Sequence, residues 1–223
     1  MSNSKTPKTF SANSLKLLDT SPEEYKLKYE EGLFLPKISP SAKAGQNLHS
    51  YLCYYLKGFD ITKIENALAP SDREFIEKIK TYNAVCKLKN APKIQIEQPF
   101  LIRCTPPDTK NPQAARVLGN TFYLTGRFDA VLQTMPDKNL PHADENCQNT
   151  IQIYDWKTQN LPKNPEDDIQ TIVYLYAASK LYKTQDISIT YIALVKNEYV
   201  TIPYNPEYDY LSTISIIVNK CLP

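Results

Sequence analysis

A chain of 223 residues can form one large domain or two small ones, and its 42% hydrophobic content and mean hydropathy of -0.44 are ordinary for a soluble protein. The net charge is +2, with 14 Lys and Arg against 10 Asp and Glu in residues 1 to 90, a basic first part compatible with a polyanionic partner. Five glycines leave no GxxxxGK[ST] or GxGxxG loop, which argues against a nucleotide-driven motor or a dinucleotide enzyme, and five scattered cysteines with no CxxC pair argue against a disulfide framework or a zinc ribbon.

The opening MSNSKTPKTF has no apolar signal core, and no run approaches the ~20 apolar residues of a membrane span. The expectation is a cytoplasmic protein with no membrane partner. Ser11 to Asp19 and Pro22 to Glu31 read as short helices, the first with Ser11 or Asn13 as cap and the second with Glu23 and Glu24 at the positive end of its dipole. After the connection LPKISPSAK, a helix is predicted from Ser41 to Lys57. Ala44, Leu48, Leu52 and Leu56 form its apolar stripe, His49 sits at the stripe's edge, and Gly58 is the stop. Pro70 to Leu88 reads as one further amphipathic helix with Phe75, Ile79 and Val85 as core residues.

From Lys93 the period changes to two. Ile94, Ile96, Gln98, Phe100 and Ile102 are placed on one face of a strand and Glu97 on the other. A Pro- and Asn-rich loop from Thr105 to Asn120 leads to a strand from Thr121 to Thr134, with Phe122, Leu124, Phe128 and Leu132 on the apolar face and Tyr123, Arg127 and Asp129 opposite. A polar hairpin connection containing His142, read as solvated, returns as the strand Thr150 to Lys157. There Asp155 and Lys157 share one face and Trp156 takes the other. Asn164-Pro165-Glu166-Asp167 reads as a helix start, with the helix running to Tyr182 and placing Gln170 and Tyr174 on one flank. Strands Ile187 to Val195 and Glu198 to Tyr204, turning at Lys196-Asn197, and a helix from Pro206 to Lys220 complete the chain. The predicted architecture is α/β: a mixed central sheet flanked by helices. It forms one domain, with a helical part at 1–90 and a sheet-containing core at 91–223.

An acid and a lysine on one face of a buried strand are costly unless each has a partner, a metal ion or a chemical role. If the two strands are hairpin neighbours, Asp129 and Asp155 approach each other, and one carboxylate takes up a proton unless a divalent cation lies between them. Oxygen ligands of this kind favour Mg²⁺ or Mn²⁺, and Mn²⁺ also accepts an imidazole such as His49. Lys157 alongside suits phosphodiester hydrolysis, where negative charge develops on phosphate.

GRFDAV (126–131), IYDWKT (153–158), the Gln170–Tyr174 QxxxY spacing and Gly45-Gln-Asn-Leu-His49 together resemble the RecB-type branch of the PD-(D/E)XK nuclease superfamily, which includes the small CRISPR-associated exonucleases. The segment FSANSLKLLDTSPEEYKLKY is similar to that branch's N-terminal helical region, so the resemblance covers about residues 10 to 182. It implies a restriction-endonuclease-like core and a metal-dependent deoxyribonuclease acting on DNA single strands or duplex ends. It also implies a separate helicase or repair protein as partner. His49, Asp129, Asp155 and the Trp156 carbonyl would be metal ligands, Lys157 the catalytic lysine, Gln170 and Tyr174 braces for the lysine and the substrate backbone, and Glu97 an accessory acid. Relatives that bind an iron-sulfur cluster use a Cys-Pro where this chain has Ser21-Pro22, and Cys221 stands alone at the far end, so no cluster is expected. The alternative is a catalytically silent nucleic-acid-binding or partner module on the same fold.

Overall fold

The computed structural model describes residues 8–33, 40–105, 121–134 and 149–220. The loop from 106 to 120, the hairpin connection with His142, and Cys147 and Cys221 lie outside the described residues.

A six-stranded mixed sheet is organised on β3 (Phe122–Thr134). Along one edge β3 pairs antiparallel with β2 (Ile94–Cys104), from Ile94 opposite Leu132 to Cys104 opposite Phe122. Its other edge is shared. β1 (Thr9–Phe10) runs parallel to Tyr123 and Leu124, and β4 (Thr150–Lys157) pairs antiparallel with residues 130 to 134. Residues 125 to 129 therefore have no strand neighbour on that edge among the described residues. β4 continues parallel to β5 (Ile187–Ala193), which pairs antiparallel with β6 (Glu198–Pro203) across a turn where Asn197 adopts φ 54°.

One face of the sheet is covered by α1 (Ala12–Thr20), the later helix α7 (Ile169–Tyr182) and the last helix α8 (Tyr210–Asn219). Its core joins Phe10, Leu15, Phe100, Leu124, Phe128, Ile153, Val173 and Tyr191, all buried. The opposite face is covered by α3 (Pro40–Leu56), with α5 (Pro70–Lys80) and α6 (Asn83–Lys89) stacked around it, and Leu48, Leu52, Ile79, Leu88, Ala130, Leu132, Tyr154 and Trp156 fill that layer. The described residues also include the short helices α2 (Pro22–Tyr25) and α4 (Thr62–Asn66).

Several elements follow local chemistry as expected. Ser11 accepts from the Ser14 amide at 3.2 Å while Ser14 Oγ accepts from the Ser11 amide at 2.8 Å, a reciprocal cap that starts α1. Gly58 takes φ 78° at the end of α3, the left-handed conformation glycine adopts without a Cβ penalty. Others differ. The segment after Tyr25 is a π-helical turn over Lys26–Glu30, not a continuation of the α-helix. The predicted helix 70–88 is two helices, broken at Thr81 and Tyr82, because turning there lets Tyr82 bury its ring and donate its hydroxyl to the Leu194 carbonyl at 2.9 Å. α7 starts at Ile169, with Asp168 accepting from the Gln170 amide at 2.8 Å; the Asn164-Pro165 signal leads only into turns, and the Pro165 carbonyl accepts the Thr171 hydroxyl. The last helix begins at Tyr210, capped by Asp209, later than Pro206.

The largest departure lies in the alternation along β2 and β3. Phe122, Leu124 and Phe128 join the α7 face as expected, but Ala130 and Leu132 join the α3 face and Val131 the α7 face. On β2, Phe100 and Ile102 pack on the α7 side, whereas Ile94 and Ile96 pack on the α3 side. The reversal sits where Glu97 takes φ 59° between the paired positions Ile96–Ala130 and Gln98–Phe128. A left-handed residue rotates the pleat, so that two successive residues present to one face. Residues 96 and 97 both meet the α3 side.

Candidate active site

The stretch of β3 that pairs with β2 alone among the described residues, together with the end of β4, forms the site. Among the described residues, β3–β4 backbone pairing ends at Ala130 opposite Tyr154. Beyond it the Asp129 carboxylate takes over a ladder role, with its Oδ2 accepting from the Trp156 amide at 2.9 Å. The Arg127 carbonyl, within the stretch that lacks a strand partner on that edge, accepts the Tyr174 hydroxyl at 2.9 Å. Tyr174 is wedged edge-on against Phe100 and Phe128 at 5.8 and 5.1 Å between centroids. Burial, and next the negative charge of Asp155, push its phenol pKa up, so it stays a neutral donor.

On the α7 side, Asp155 and Lys157 are joined at 2.7 Å and bridged by Gln170. Gln170 donates Nε2 to Asp155 Oδ1 at 2.6 Å and accepts the Lys157 ammonium on Oε1 at 2.8 Å. Asp155 is only 3% exposed. Burial, with the Asp129 charge acting the same way, pushes its carboxyl up to about 6, while Lys157 and His49 pull the other way. Burial is the larger cause of this rise, and the neighbouring Asp129 adds to it.

On the α3 side, His49 Nε2 lies 2.8 Å from the Trp156 carbonyl and Nδ1 3.4 Å from Asp129 Oδ2. Burial alone would lower its pKa, but Asp129, the Trp156 carbonyl and Asp155 hold it above the usual value. His49 reaches this place because α3 approaches β4 closely: a Cβ at Gly45, one turn earlier, would sit 2.9 Å from the Thr158 hydroxyl. Similarly, a Cβ at Gly126 would lie 2.5 Å from the Phe100 ring that supports Tyr174.

The residues named from the sequence thus fall into two sets flanking the gap: Asp155, Lys157 and Gln170 toward α7, and Asp129, His49 and the Trp156 backbone toward α3. Tyr174 ties α7 to β3, with its hydroxyl bonded to Arg127 and not to the lysine. Glu97 stands on the α3 side and holds Arg127 at 2.6 Å. Arg127 was legible only as a neighbour of Asp129 in GRFDAV. Its pairing with Glu97 depends on the strained backbone at 97, for which the residue pattern carries no signal.

Among the described residues, no three His, Cys, Asp or Glu side chains are gathered into a ready cluster for a metal ion. The chemistry of the donors nonetheless suits a divalent cation. Asp155 Oδ2 is buried and makes no well-aligned hydrogen bond, despite its 2.7 Å contact with Lys157. A hard cation next to it would add positive charge beside that of Lys157 and release the proton that burial favours.

No helix among the described residues is long and apolar enough to cross a membrane. No curated protein matches this chain. Among solved structures, "Crystal structure of SSO0001" is similar over 97% of this chain and 76% of its own, at 16% identity and a TM-score of 0.49. The family model described as PD-(D/E)XK nuclease superfamily matches residues 9–215, nearly the whole chain. By that match, and with the mixed, helix-flanked sheet on which its acids and lysine are mounted, this chain belongs to the PD-(D/E)XK nuclease superfamily.

Proposed function

We propose that this protein is a metal-dependent deoxyribonuclease that hydrolyses phosphodiester bonds in DNA single strands or at duplex ends. The observation that carries the reading is the Asp155–Lys157 pair, locked by Gln170 and lying beside a second acid, Asp129. An ammonium held at a fixed point by two oxygen partners is already oriented before substrate arrives, so little reorganisation is needed when charge develops on a phosphate.

Asp155, Asp129, His49 and the Trp156 carbonyl would hold Mg²⁺ or Mn²⁺, which when bound supplies Lewis acidity and a more acidic water. Lys157 would orient the attacking water and stabilise negative charge on the scissile phosphate. Gln170, bonded to both groups, holds the Lys157 ammonium and the Asp155 carboxylate in one fixed arrangement. Tyr174, through the Arg127 carbonyl, fixes the segment of β3 that carries Asp129. A separate helicase or repair protein fits as the partner that would deliver unwound ends.

The test is cleavage of 5′- and 3′-labelled single- and double-stranded DNA with Mg²⁺ or Mn²⁺. Wild-type protein should cleave, and Asp155→Ala and Lys157→Ala proteins, folded by circular dichroism, should not. Salt-sensitive DNA binding with no turnover under either metal would overturn the reading in favour of a silent binding module.

A further inference from the structure

A cleft of about 730 Å³ opens on the α3 side of the sheet and runs from His49 along the helix to Tyr54 and Lys57, with Glu97 and Arg127 on its opposite wall. Its volume is in the range of ~300–1,000 Å³ typical of ligand pockets. Three features set it apart from ordinary surface. Glu97 is held at φ 59° in the middle of a strand, a conformation that persists only where its surroundings fix it. The result of that strain is to aim the Glu97 carboxylate at Arg127, 2.6 Å away, while the Arg127 side chain remains 63% exposed. And α3 presents Tyr54, 46% exposed, next to Phe59, 59% exposed, as an aromatic pair with centroids 5.8 Å apart.

A guanidinium anchored by a carboxylate on one side and open on the other is fitted to a phosphate, which it meets with its remaining N–H groups. An exposed tyrosine at the other wall offers a ring face to a base. A duplex has its bases stacked on one another and offers no such face along its length, whereas a single strand does. Lys57 adds a second positive charge in the same cleft.

We propose that this cleft is a single-stranded DNA subsite next to the reactive centre, in which Arg127, oriented by Glu97, contacts a backbone phosphate and Tyr54 stacks on an unpaired base. The proposal rests on the nuclease reading for the identity of its ligand, but it concerns binding and is tested without turnover.

The experiment is fluorescence anisotropy in EDTA at low salt with labelled oligo-dT, an abasic oligomer of equal length, and a blunt duplex. Wild-type protein should prefer oligo-dT over both. Tyr54→Ala should weaken oligo-dT binding about 10-fold or more, the worth of one stacked base, and leave the abasic oligomer unaffected, while Tyr54→Trp retains binding. Arg127→Ala should weaken oligo-dT and abasic oligomer alike and flatten the salt dependence by about one phosphate contact. Glu97→Gln should produce a smaller loss of the same kind. The proposal is overturned if Tyr54→Ala binds oligo-dT as wild type does, if it loses the abasic oligomer equally, or if Arg127→Ala changes neither. Unchanged thermal unfolding of the variants separates loss of contact from loss of fold. Tight, Tyr54-dependent binding without metal-dependent cleavage would sink the nuclease reading and leave the subsite standing. Cleavage with Tyr54→Ala at wild-type affinity would do the reverse.

Discussion

The two faces of the sheet are built to different standards. Toward α7 the layer is continuous: Phe100, Phe128 and Tyr174 interlock, and α7 is buried nearly all the way round, from Ile169 to Ala178. Toward α3 the layer is more open near the site, with a cleft beside His49, exposed Tyr54 on the helix and exposed Phe59 just beyond it. The acid–lysine pair is mounted on the tightly packed face, and the histidine and the cleft on the open one. Preorganisation of charge needs side chains with one available rotamer, which dense packing provides; entry of a substrate needs surface that is not already occupied.

The largest effects should fall on activity when the charges on the packed face change. Lys157→Ala should lower the cleavage rate about 10²- to 10³-fold, the usual consequence of removing one donor to developing charge, and Gln170→Ala should give a smaller loss with substrate affinity nearly kept. Single-turnover cleavage checks both; a Gln170→Ala protein as fast as wild type would mean that the bridge does not orient the lysine.

Next in size is the packing itself. Phe128→Ala should cost about 3–5 kcal/mol in urea unfolding, because its ring contacts both Phe100 and Tyr174 and cannot be replaced by local collapse. The same substitution should also disturb the site, through the Tyr174 bond to Arg127. Leu52→Ala on the α3 side should fall in the lower part of the ~2–5 kcal/mol range for such truncations, as the cleft nearby lets the layer relax. Equal costs would erase the contrast between the faces.

A third effect is pH-dependent. The Asp155 pKa is raised from its ordinary 3.8 to about 6, so this group's contribution to stability is fully present below about pH 4 and is lost as pH rises through about 6. Above that pH the ionised, buried carboxylate costs on the order of 2–3 kcal/mol. Asp155→Asn should therefore raise the melting temperature at pH 8, with the gain shrinking as pH falls below 6. Added Mn²⁺ should stabilise wild type at pH 8 and leave Asp155→Asn almost unmoved. A variant less stable than wild type at pH 8 would show that Lys157 more than offsets the burial.

The smallest expected effect tests how α3 is brought in. Gly45→Ala gains up to ~1 kcal/mol of helix propensity and loses a similar amount to crowding against Thr158, so stability should change little. Activity should fall several-fold as His49 is moved off the Trp156 carbonyl. Adding Thr158→Ala should restore it; failure of that rescue would separate Gly45 from the placement of His49.

The sequence by itself determined the order and type of most elements, the pairing of the GRFDAV and IYDWKT strands, and the placement of Asp155 and Lys157 on one face. These depend on periodicity within a few residues and on caps such as Ser11 and stops such as Gly58, where the physics is local. The two-residue β1 escaped because its pairing to Tyr123 and Leu124 is a long-range contact with almost no local signature. The split at Tyr82 escaped because a buried hydroxyl found its acceptor at Leu194, more than a hundred positions away. Only the tertiary structure decided how the two acids are divided between the faces. The left-handed Glu97 reverses the alternation of β2 and β3 in mid-strand, sending Leu132 to the face opposite Phe128, and Asp129 takes the place of a backbone partner for Trp156. A residue pattern assumes a uniform pleat. The strand that carries this strained φ packs against β3, α3 and α7, and no single stretch of sequence contains them.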